Sequence, residues 1–313
     1  MVAHWNKGLN HPLPDLPRQP LGPDHNLAPF VRHAFVGEAQ KTLWKPRITA
    51  VRAALARLNV MVVARGMAAA SIADVRGDEV LSIHNLAAEY SLHAILIPHE
   101  LDGERRRLII GQEKMARDCA VALQADDFRS VAELTGVPAC CRDQCTDPHR
   151  GSPRDSLLNA FQINRGEPVM DLCCNPFLNP LLRPIGLALT EQLPCSFDCE
   201  ASKHVAIRKL ELARSYGLGT EMDWLEAMLG WPAEWSALHG IAEVKTGILK
   251  IAHRIAYTPF KRVVRYLGRA PASDSARALL FPYAPHHKPP RGDLVCLREG
   301  AMNTATDSTS HEE

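Results

Sequence analysis

The sequence contains no long hydrophobic run. No apolar stretch approaches the ~20 residues that an α-helix needs to cross a bilayer, and residues 1–17 lack the apolar region of a secretory signal. We therefore expect a cytoplasmic protein that does not enter a membrane. Thiols stay reduced in that compartment, so clustered cysteines indicate metal binding or thiol chemistry rather than a disulfide framework.

The chain also lacks an excess of charge of either sign. Its 36 Lys and Arg residues nearly balance 35 Asp and Glu residues, for a net charge of +1. No overall electrostatic attraction to nucleic acid or to an anionic membrane is therefore expected. The glycine-rich motifs G-x-G-x-x-G and G-x-x-x-x-G-K-S are absent, so a nucleotide-binding fold has no support from motifs.

The first half of the chain alternates between helix and strand patterns. Residues 46–58 repeat apolar side chains at helical spacing, and an Asp-Gly pair between two apolar runs predicts an antiparallel hairpin. Other segments follow the same two periodicities. The predicted helices are 46–58, 82–90, 113–127 and 127–136, and the predicted strands are 60–64, 93–98 and 107–111.

The pattern of the second half indicates mostly helix. Residues 203–219 and 221–232 carry apolar side chains at helical spacing, while 232–259 mixes helix with some strand character. The predicted fold class is α+β or α/β, with a small mixed sheet and helices in the N-terminal half and a mostly helical C-terminal half. The predicted segments are a proline-rich extended arm (1–35), a small α/β module (36–136), cysteine-rich metal-site loops (137–202), a helical region (203–283) and a flexible tail (284–313).

Seven of the nine cysteines lie between Gly136 and Ser202. Their odd total argues against a fully paired disulfide set. Adjacent cysteines are also poor partners for each other, because neighbours on one trans peptide reach disulfide geometry only with strain. The seven are Cys140, Cys141, Cys145, Cys173, Cys174, Cys195 and Cys199.

The spacing of these cysteines indicates a metal–thiolate site. Cys195 and Cys199 form a C-x3-C pair directly before a predicted helix, whose free backbone N–H groups favour a thiolate. Three or four thiolates suit a tetrahedral zinc ion or an iron–sulfur cluster. Because sulfur makes up nearly the whole donor set and no histidine is well placed, we favour an iron–sulfur cluster of the [4Fe–4S] type over zinc. The predicted ligands are Cys140, Cys141, Cys145, Cys174, Cys195 and Cys199, with one member of each adjacent pair facing the site.

Polar residues between the cysteines are candidates for a catalytic lining. Asn175 and Asn179 each precede a proline, so an irregular loop can direct both carboxamides into a pocket; turns and caps are an equally good interpretation. Near Cys199, four polar residues can orient a cluster or a substrate, or cap the helix: Ser196, Asp198, Glu200 and Ser202. The predicted catalytic residues are Arg142, Asn175, Asn179, Asp198 and Glu200.

Three segments together resemble the pattern of a known group. GVPACC at 136–141, NPFLN at 175–179 and LPCSFDCEAS at 193–202 resemble a little-characterised prokaryotic family of unknown function, over about residues 44–216. The sequence departs from the family pattern at Gln192, where the family has histidine, and at Val137, where it has an aromatic residue. The resemblance implies a shared site and no particular reaction. It implies that the shared thiols are Cys141 or Cys140, Cys195 and Cys199, and that Cys145, Cys173 and Cys174 are particular to this chain.

Three functions are compatible with these features. The first is an enzyme that acts on a small molecule through a Cys-ligated iron–sulfur cluster, either with an electron donor or as a Lewis acid. The second is a binding or interaction module held together by a structural Cys-ligated zinc ion. The third is a metal-free thiol enzyme that uses Cys195 or Cys199 as its nucleophile or redox pair.

Overall fold

A computed structural model of the chain describes residues 31–97, 105–146, 169–172, 174–190, 192–255, 258 and 260–268. Within these residues the chain forms seven α-helices, nine strands and two short 3₁₀ helices, Pro176–Leu178 and Arg183–Ile185. The α-helices are α1 (Glu38–Ala64), α2 (Val80–Glu89), α3 (Glu113–Gln124), α4 (Phe128–Leu134), α5 (Ala139–Thr146), α6 (Glu200–Ser215) and α7 (Gly219–Leu229). The strands are β1 (Val31–Phe35), β2 (Ala70–Arg76), β3 (His93–Ile97), β4 (Arg105–Gly111), β5 (Val169–Leu172), β6 (Ala233–Leu238), β7 (Ile241–Thr246), β8 (Leu249–Arg254) and β9 (Arg262–Tyr266).

The larger sheet has six strands in the order β1-β8-β7-β6-β9-β5. Neighbouring strands run antiparallel except β5 and β9, which are parallel. The β6–β7 hairpin pairs Leu238 with Ile241, and the two residues of its turn, His239 and Gly240, have positive φ angles of 51° and 82°. A two-residue turn with both φ angles positive matches the right-handed twist of the strands that it joins.

The smaller sheet has three strands in the order β2-β4-β3, and both of its pairings are antiparallel. The predicted hairpin is confirmed, because β3 pairs with β4 from His93 opposite Gly111 to Ile97 opposite Arg107. The predicted mixed character of this N-terminal sheet is wrong. Among the described strands, parallel pairing occurs in the larger sheet, between β5 and β9.

Helix α1 is buried on two sides. Val51 and Leu58 belong to the main core, which α1 shares with α6, α7 and the larger sheet, whereas Val60 and Val63 face a second core that includes the smaller sheet and α2. Where a helix lies between two cores, as the last turns of α1 do, it is apolar all round. This explains why the predicted strand at 60–64 is wrong: these residues form the last turns of α1.

The C-terminal half is not mostly helical, and that prediction is wrong. The helices predicted at 203–219 and 221–232 are present as α6 and α7, but four strands, β6 to β9, follow them. Burial alternates residue by residue along β6, β7 and β8, as expected for strands with one face in a core. Trp231, before β6, and Trp235, on β6, are both buried.

Two predicted segments lie outside the described residues, namely the proline-rich arm up to residue 30 and the tail at 284–313. The last residues of the predicted arm, 31–35, form β1 at an edge of the larger sheet. No helix in the described part of the chain combines the length and the apolar character that crossing a membrane requires.

The glycine turn between α4 and α5 lies against the loop between α1 and β2. Gly136 has a φ angle of +73°, and a Cβ atom there would lie 3.0 Å from the carbonyl oxygen of Met67. The backbone N–H of Ala69 donates to the carbonyl of Leu134 at 3.0 Å. Glycine adopts this φ without strain and leaves room for the close approach, so the turn determines where α5 begins.

Candidate metal centre

Two helices begin at the site, and each brings two cysteines to it. Cys140 and Cys141 lie in the first turn of α5, Cys199 directly precedes α6, and Cys195 lies on the turn that leads into α6. The first backbone N–H groups of a helix have no partner within the helix, and the helix dipole adds a positive potential there. Both helix starts therefore place a positive potential next to the cysteines.

The four sulfur atoms form one compact group. The Sγ atom of Cys199 lies 3.6 Å from that of Cys141 and 3.8 Å from that of Cys140, and the Sγ atoms of Cys140 and Cys141 are 3.8 Å apart. With Cys195 included, all four sulfurs lie within 4.8 Å of one another. Such a group can hold a metal ion.

Two polar groups contact the sulfur of Cys141. The hydroxyl oxygen of Ser202 lies 3.1 Å from this sulfur, and the backbone N–H of Cys195 donates to it at 3.3 Å. Ser202 is completely buried. Hydrogen bonds of this kind orient thiolate ligands and are part of the design of metal–thiolate sites.

The four thiols differ in their access to solvent. Cys141 is fully buried and Cys199 is 7 % exposed, and both pack with Ala132 and Val137. Cys195 is partly buried, whereas Cys140 is exposed. The site therefore has a closed apolar side and one sulfur at the protein surface.

The surroundings of the cysteines shift the pKa values of three of the thiols, in opposite directions. Burial raises the pKa of Cys199, but hydrogen bonds from the hydroxyl and backbone N–H of Ser202, and from neighbouring thiols, outweigh burial and lower it to about 7. Burial raises the pKa of Cys195 to about 12, with further increases from hydrogen bonds to Cys199 and Cys141. Burial also raises the pKa of Cys140. Without a metal ion, these shifts favour a thiolate at Cys199 and protonated thiols at Cys140 and Cys195.

The structure brings together four of the six predicted ligands. Both members of the pair Cys140 and Cys141 join the group, although one of each adjacent pair was expected to face the site. Cys174 packs against the main core and is not part of the group. Cys145 lies in α5, but its side chain is outside the part of the structure that is described, and Cys173 lies outside the described residues altogether.

The charged residues predicted as catalytic lie close to the cysteines along the chain. Arg142 donates through Nε to the carbonyl of Val137 at 2.9 Å and lies 3.8 Å from a carboxylate oxygen of Glu133. Asp198 is exposed. Glu200 is exposed and forms an ion pair with Lys203 at 3.3 Å, one turn along α6.

The two predicted asparagines hydrogen-bond to backbone groups. The side-chain oxygen of Asn175 accepts from the N–H of Phe177 at 3.0 Å and caps the first 3₁₀ helix. Asn179 is buried; its Nδ2 donates to the carbonyl of Leu229 at 2.8 Å, and its Oδ1 accepts from the N–H of Leu181 at 3.0 Å. These bonds correspond to the turn-and-cap interpretation of the two Asn-Pro pairs.

Ser202 contacts the sulfur of Cys141. From the sequence it is a residue that can orient a cluster or a substrate, or cap the helix, and it is not among the predicted ligands or catalytic residues. A serine in the first turn of a helix is usually interpreted as part of a cap. In the sequence, a role at the site is indicated by its position three residues after Cys199. A side chain in the first turn of a helix can reach back to the residue that precedes the helix. The contact with Cys141, 61 positions away, depends on the tertiary fold.

Comparison with protein-family models, with curated proteins and with solved structures finds no match to this chain. The family resemblance described above therefore stays a prediction.

Proposed function

We propose that the chain binds a single zinc ion through Cys140, Cys141, Cys195 and Cys199, and that this ion is a structural centre joining the start of α5 to the start of α6. The observation that carries the proposal is the separation of 3.6–3.8 Å between the sulfurs of Cys140, Cys141 and Cys199. Four sulfurs at about 2.3 Å from one zinc ion form a tetrahedron with edges of about 3.8 Å.

The same distances favour one ion over a cluster. In a [4Fe–4S] cluster each thiolate binds a different iron, so the four sulfurs lie farther apart than thiolates that share one ion. A limit of 4.8 Å on every pair of sulfurs leaves room for one ion at the centre. Zinc is the first candidate because it accepts four thiolates in tetrahedral geometry.

A set of four protein thiolates favours a structural role. Structural zinc sites are closed by four protein ligands, whereas catalytic zinc sites keep one position for water or substrate. The site also joins two parts of the chain that pack in different core clusters. Helix α6 contributes Ala206 and Leu210 to the main core, whereas α5 follows α4, whose Val131 belongs to a different core cluster. An ion between the two helix starts would hold these parts together.

The second candidate is the iron–sulfur enzyme predicted from the sequence. The observation in its favour is the all-sulfur donor set, which iron–sulfur clusters prefer. A cluster would require the four sulfurs to move apart. A small-molecule substrate would then reach the centre from the side of Cys140, which is the exposed sulfur of the group.

Metal and acid-labile sulfide analysis of the purified full-length chain tests the proposal. We expect zinc without sulfide, and a cobalt-substituted protein with the absorption of tetrahedral cobalt–thiolate. Iron accompanied by sulfide would replace the zinc proposal with the cluster, and the absence of both metals would overturn both.

A pair of variants locates the ion. Cys141→Ser removes a fully buried sulfur of the group, so we expect it to lose the metal. Cys174→Ser changes a partly buried cysteine outside the group and should keep the metal at the wild-type level. Equal metal content in the two variants would show that the ion is bound elsewhere.

A further inference from the structure

Cys140 differs from the other three thiols of the group in its exposure. It is exposed, whereas Cys141 and Cys199 are buried and Cys195 is partly buried. Oxidation of cysteine by peroxides depends on thiolate character and on access for the oxidant. A metal-bound thiolate supplies the first condition at all four positions, so access decides which sulfur reacts.

We infer that Cys140 is an oxidation site, at which a hydroperoxide converts the four-thiol group into a disulfide between Cys140 and Cys199 and so releases the metal ion. The inference rests on the proposed zinc site and adds that oxidation regulates metal binding there. The geometry points to this pair because the two sulfurs lie 3.8 Å apart across the start of the two helices.

The neighbouring sulfur of Cys141 lies at the same distance from Cys140, 3.8 Å. A disulfide between adjacent residues is strained, since one trans peptide separates their Cα atoms. Cys199 comes from a different helix start, 59 positions away in the sequence, and carries no such constraint. Of these two neighbours at 3.8 Å, Cys199 is therefore the resolving thiol.

The reaction balances with a hydroperoxide as the oxidant. The thiolate of Cys140 attacks one peroxide oxygen, the O–O bond breaks, and a sulfenic acid forms while the leaving oxygen takes up a proton. The thiolate of Cys199 then attacks the sulfenic sulfur, the S–O bond breaks, and the departing hydroxide takes up a second proton to form water. Two electrons pass from the two thiolates to the peroxide, and two ligands are lost from the site.

The disulfide retains the connection that the ion provides. Cys140 and Cys199 belong to the starts of α5 and α6, so the covalent bond joins the same two elements. We therefore expect the oxidised chain to release zinc while staying folded, with a smaller loss of thermal stability than chelation causes.

The experiment is a titration of the zinc-loaded full-length chain with hydrogen peroxide. Zinc is measured with a chromogenic chelator, free thiols by alkylation, and the disulfide by peptide mass spectrometry. We expect release of the ion to accompany the loss of two thiols, with Cys140 linked to Cys199. Oxidation that begins at Cys141 or Cys195, or a disulfide that joins Cys140 to any other cysteine, would overturn the inference.

A control variant and two measurements complete the design. Isotope-coded alkylation of the partly oxidised wild-type chain should identify Cys140 as the first oxidised sulfur. Cys174→Ser, outside the group, should release zinc at the wild-type rate at the same peroxide concentration. Absence of zinc before peroxide is added overturns the proposed function, whereas zinc that stays bound after thiol loss overturns the oxidation mechanism alone.

Discussion

The sulfur atoms of Cys141 and Cys199 lie 3.6 Å apart, although 58 positions separate the two residues in the sequence. Each sulfur lies at the start of a helix, where the helix dipole favours negative charge. Two thiolates at this distance repel each other unless a cation or a shared proton lies between them. In the metal-free chain a shared proton meets this condition, and in the proposed zinc site the ion would meet it.

The first prediction concerns Ser202, whose hydroxyl lies 3.1 Å from the sulfur of Cys141. Ser202→Ala removes this hydrogen bond without adding volume, so we expect metal affinity to fall by about 10–100-fold, measured by competition with a chelator. Ser215→Ala is the matched control, because this exposed serine on the same helix donates only to the carbonyl of Leu212. Equal affinities in the two variants would contradict a role for Ser202 at the site.

The second prediction concerns the pH dependence of the metal-free protein. The pKa of Cys199 in the folded chain, about 7, lies below the ordinary thiol value of 9.0. The unfolded chain therefore binds more protons than the folded chain between these values, and stability rises with pH from about 7 to about 9. Cys195 has the opposite shift, with a pKa raised to about 12, so stability falls as pH rises above about 9.

Urea unfolding in the presence of a chelator and a reductant, at a series of pH values, measures this profile. Cys199→Ser should lose the rise between about pH 7 and pH 9 and keep part of the fall at higher pH, because burial raises the pKa of Cys195 even without the bond to Cys199. A wild-type profile that is flat over the lower interval would show that the thiolate is not held at Cys199.

The sequence predicts which cysteines form the site better than it predicts the fold around them. Local sequence is enough to predict Cys195 and Cys199, because a C-x3-C pair before a helix combines thiols with the N–H groups of a helix start. Whether Cys140, Cys141, Cys145 or Cys174 completes the set depends on which side chains the tertiary fold brings near them. Local spacing cannot show that Cys174 packs in the main core.

The larger sheet was missed for a related reason. Its edge strands, β1 and β5, come from chain segments remote from the β6–β7–β8 meander, so their pairing has no local signature. The error at 60–64 has a different origin: a run of apolar residues fits a buried strand and a helix buried on two sides equally well. In the structure Val60 faces one core and Met61 the other.

The third prediction separates a structural from a catalytic role for Asn179. This buried side chain bonds to the carbonyl of Leu229 and to the N–H of Leu181. Asn179→Ala leaves both backbone groups without these partners, and we expect the free energy of unfolding to fall by about 1–3 kcal/mol, with metal content unchanged. Asn175→Ala removes a single bond at a partly buried cap and should cost less. Lost metal binding with unchanged stability would instead assign Asn179 to the site.

The fourth prediction tests whether the turn before α5 positions the thiols. Gly136 and Gly217 have similar left-handed φ angles, +73° and +76°, but a Cβ atom at Gly136 would meet the carbonyl oxygen of Met67 at 3.0 Å, whereas one at Gly217 would meet nothing within 4 Å. Gly217→Ala therefore carries only the backbone strain, about 1–2 kcal/mol. Gly136→Ala carries the same strain and must also displace the start of α5, so we expect a larger loss of stability in urea unfolding and weaker zinc binding. Because backbone strain is common to both variants, equal losses of stability with equal zinc affinity would mean that the close approach to Met67 does not position the site.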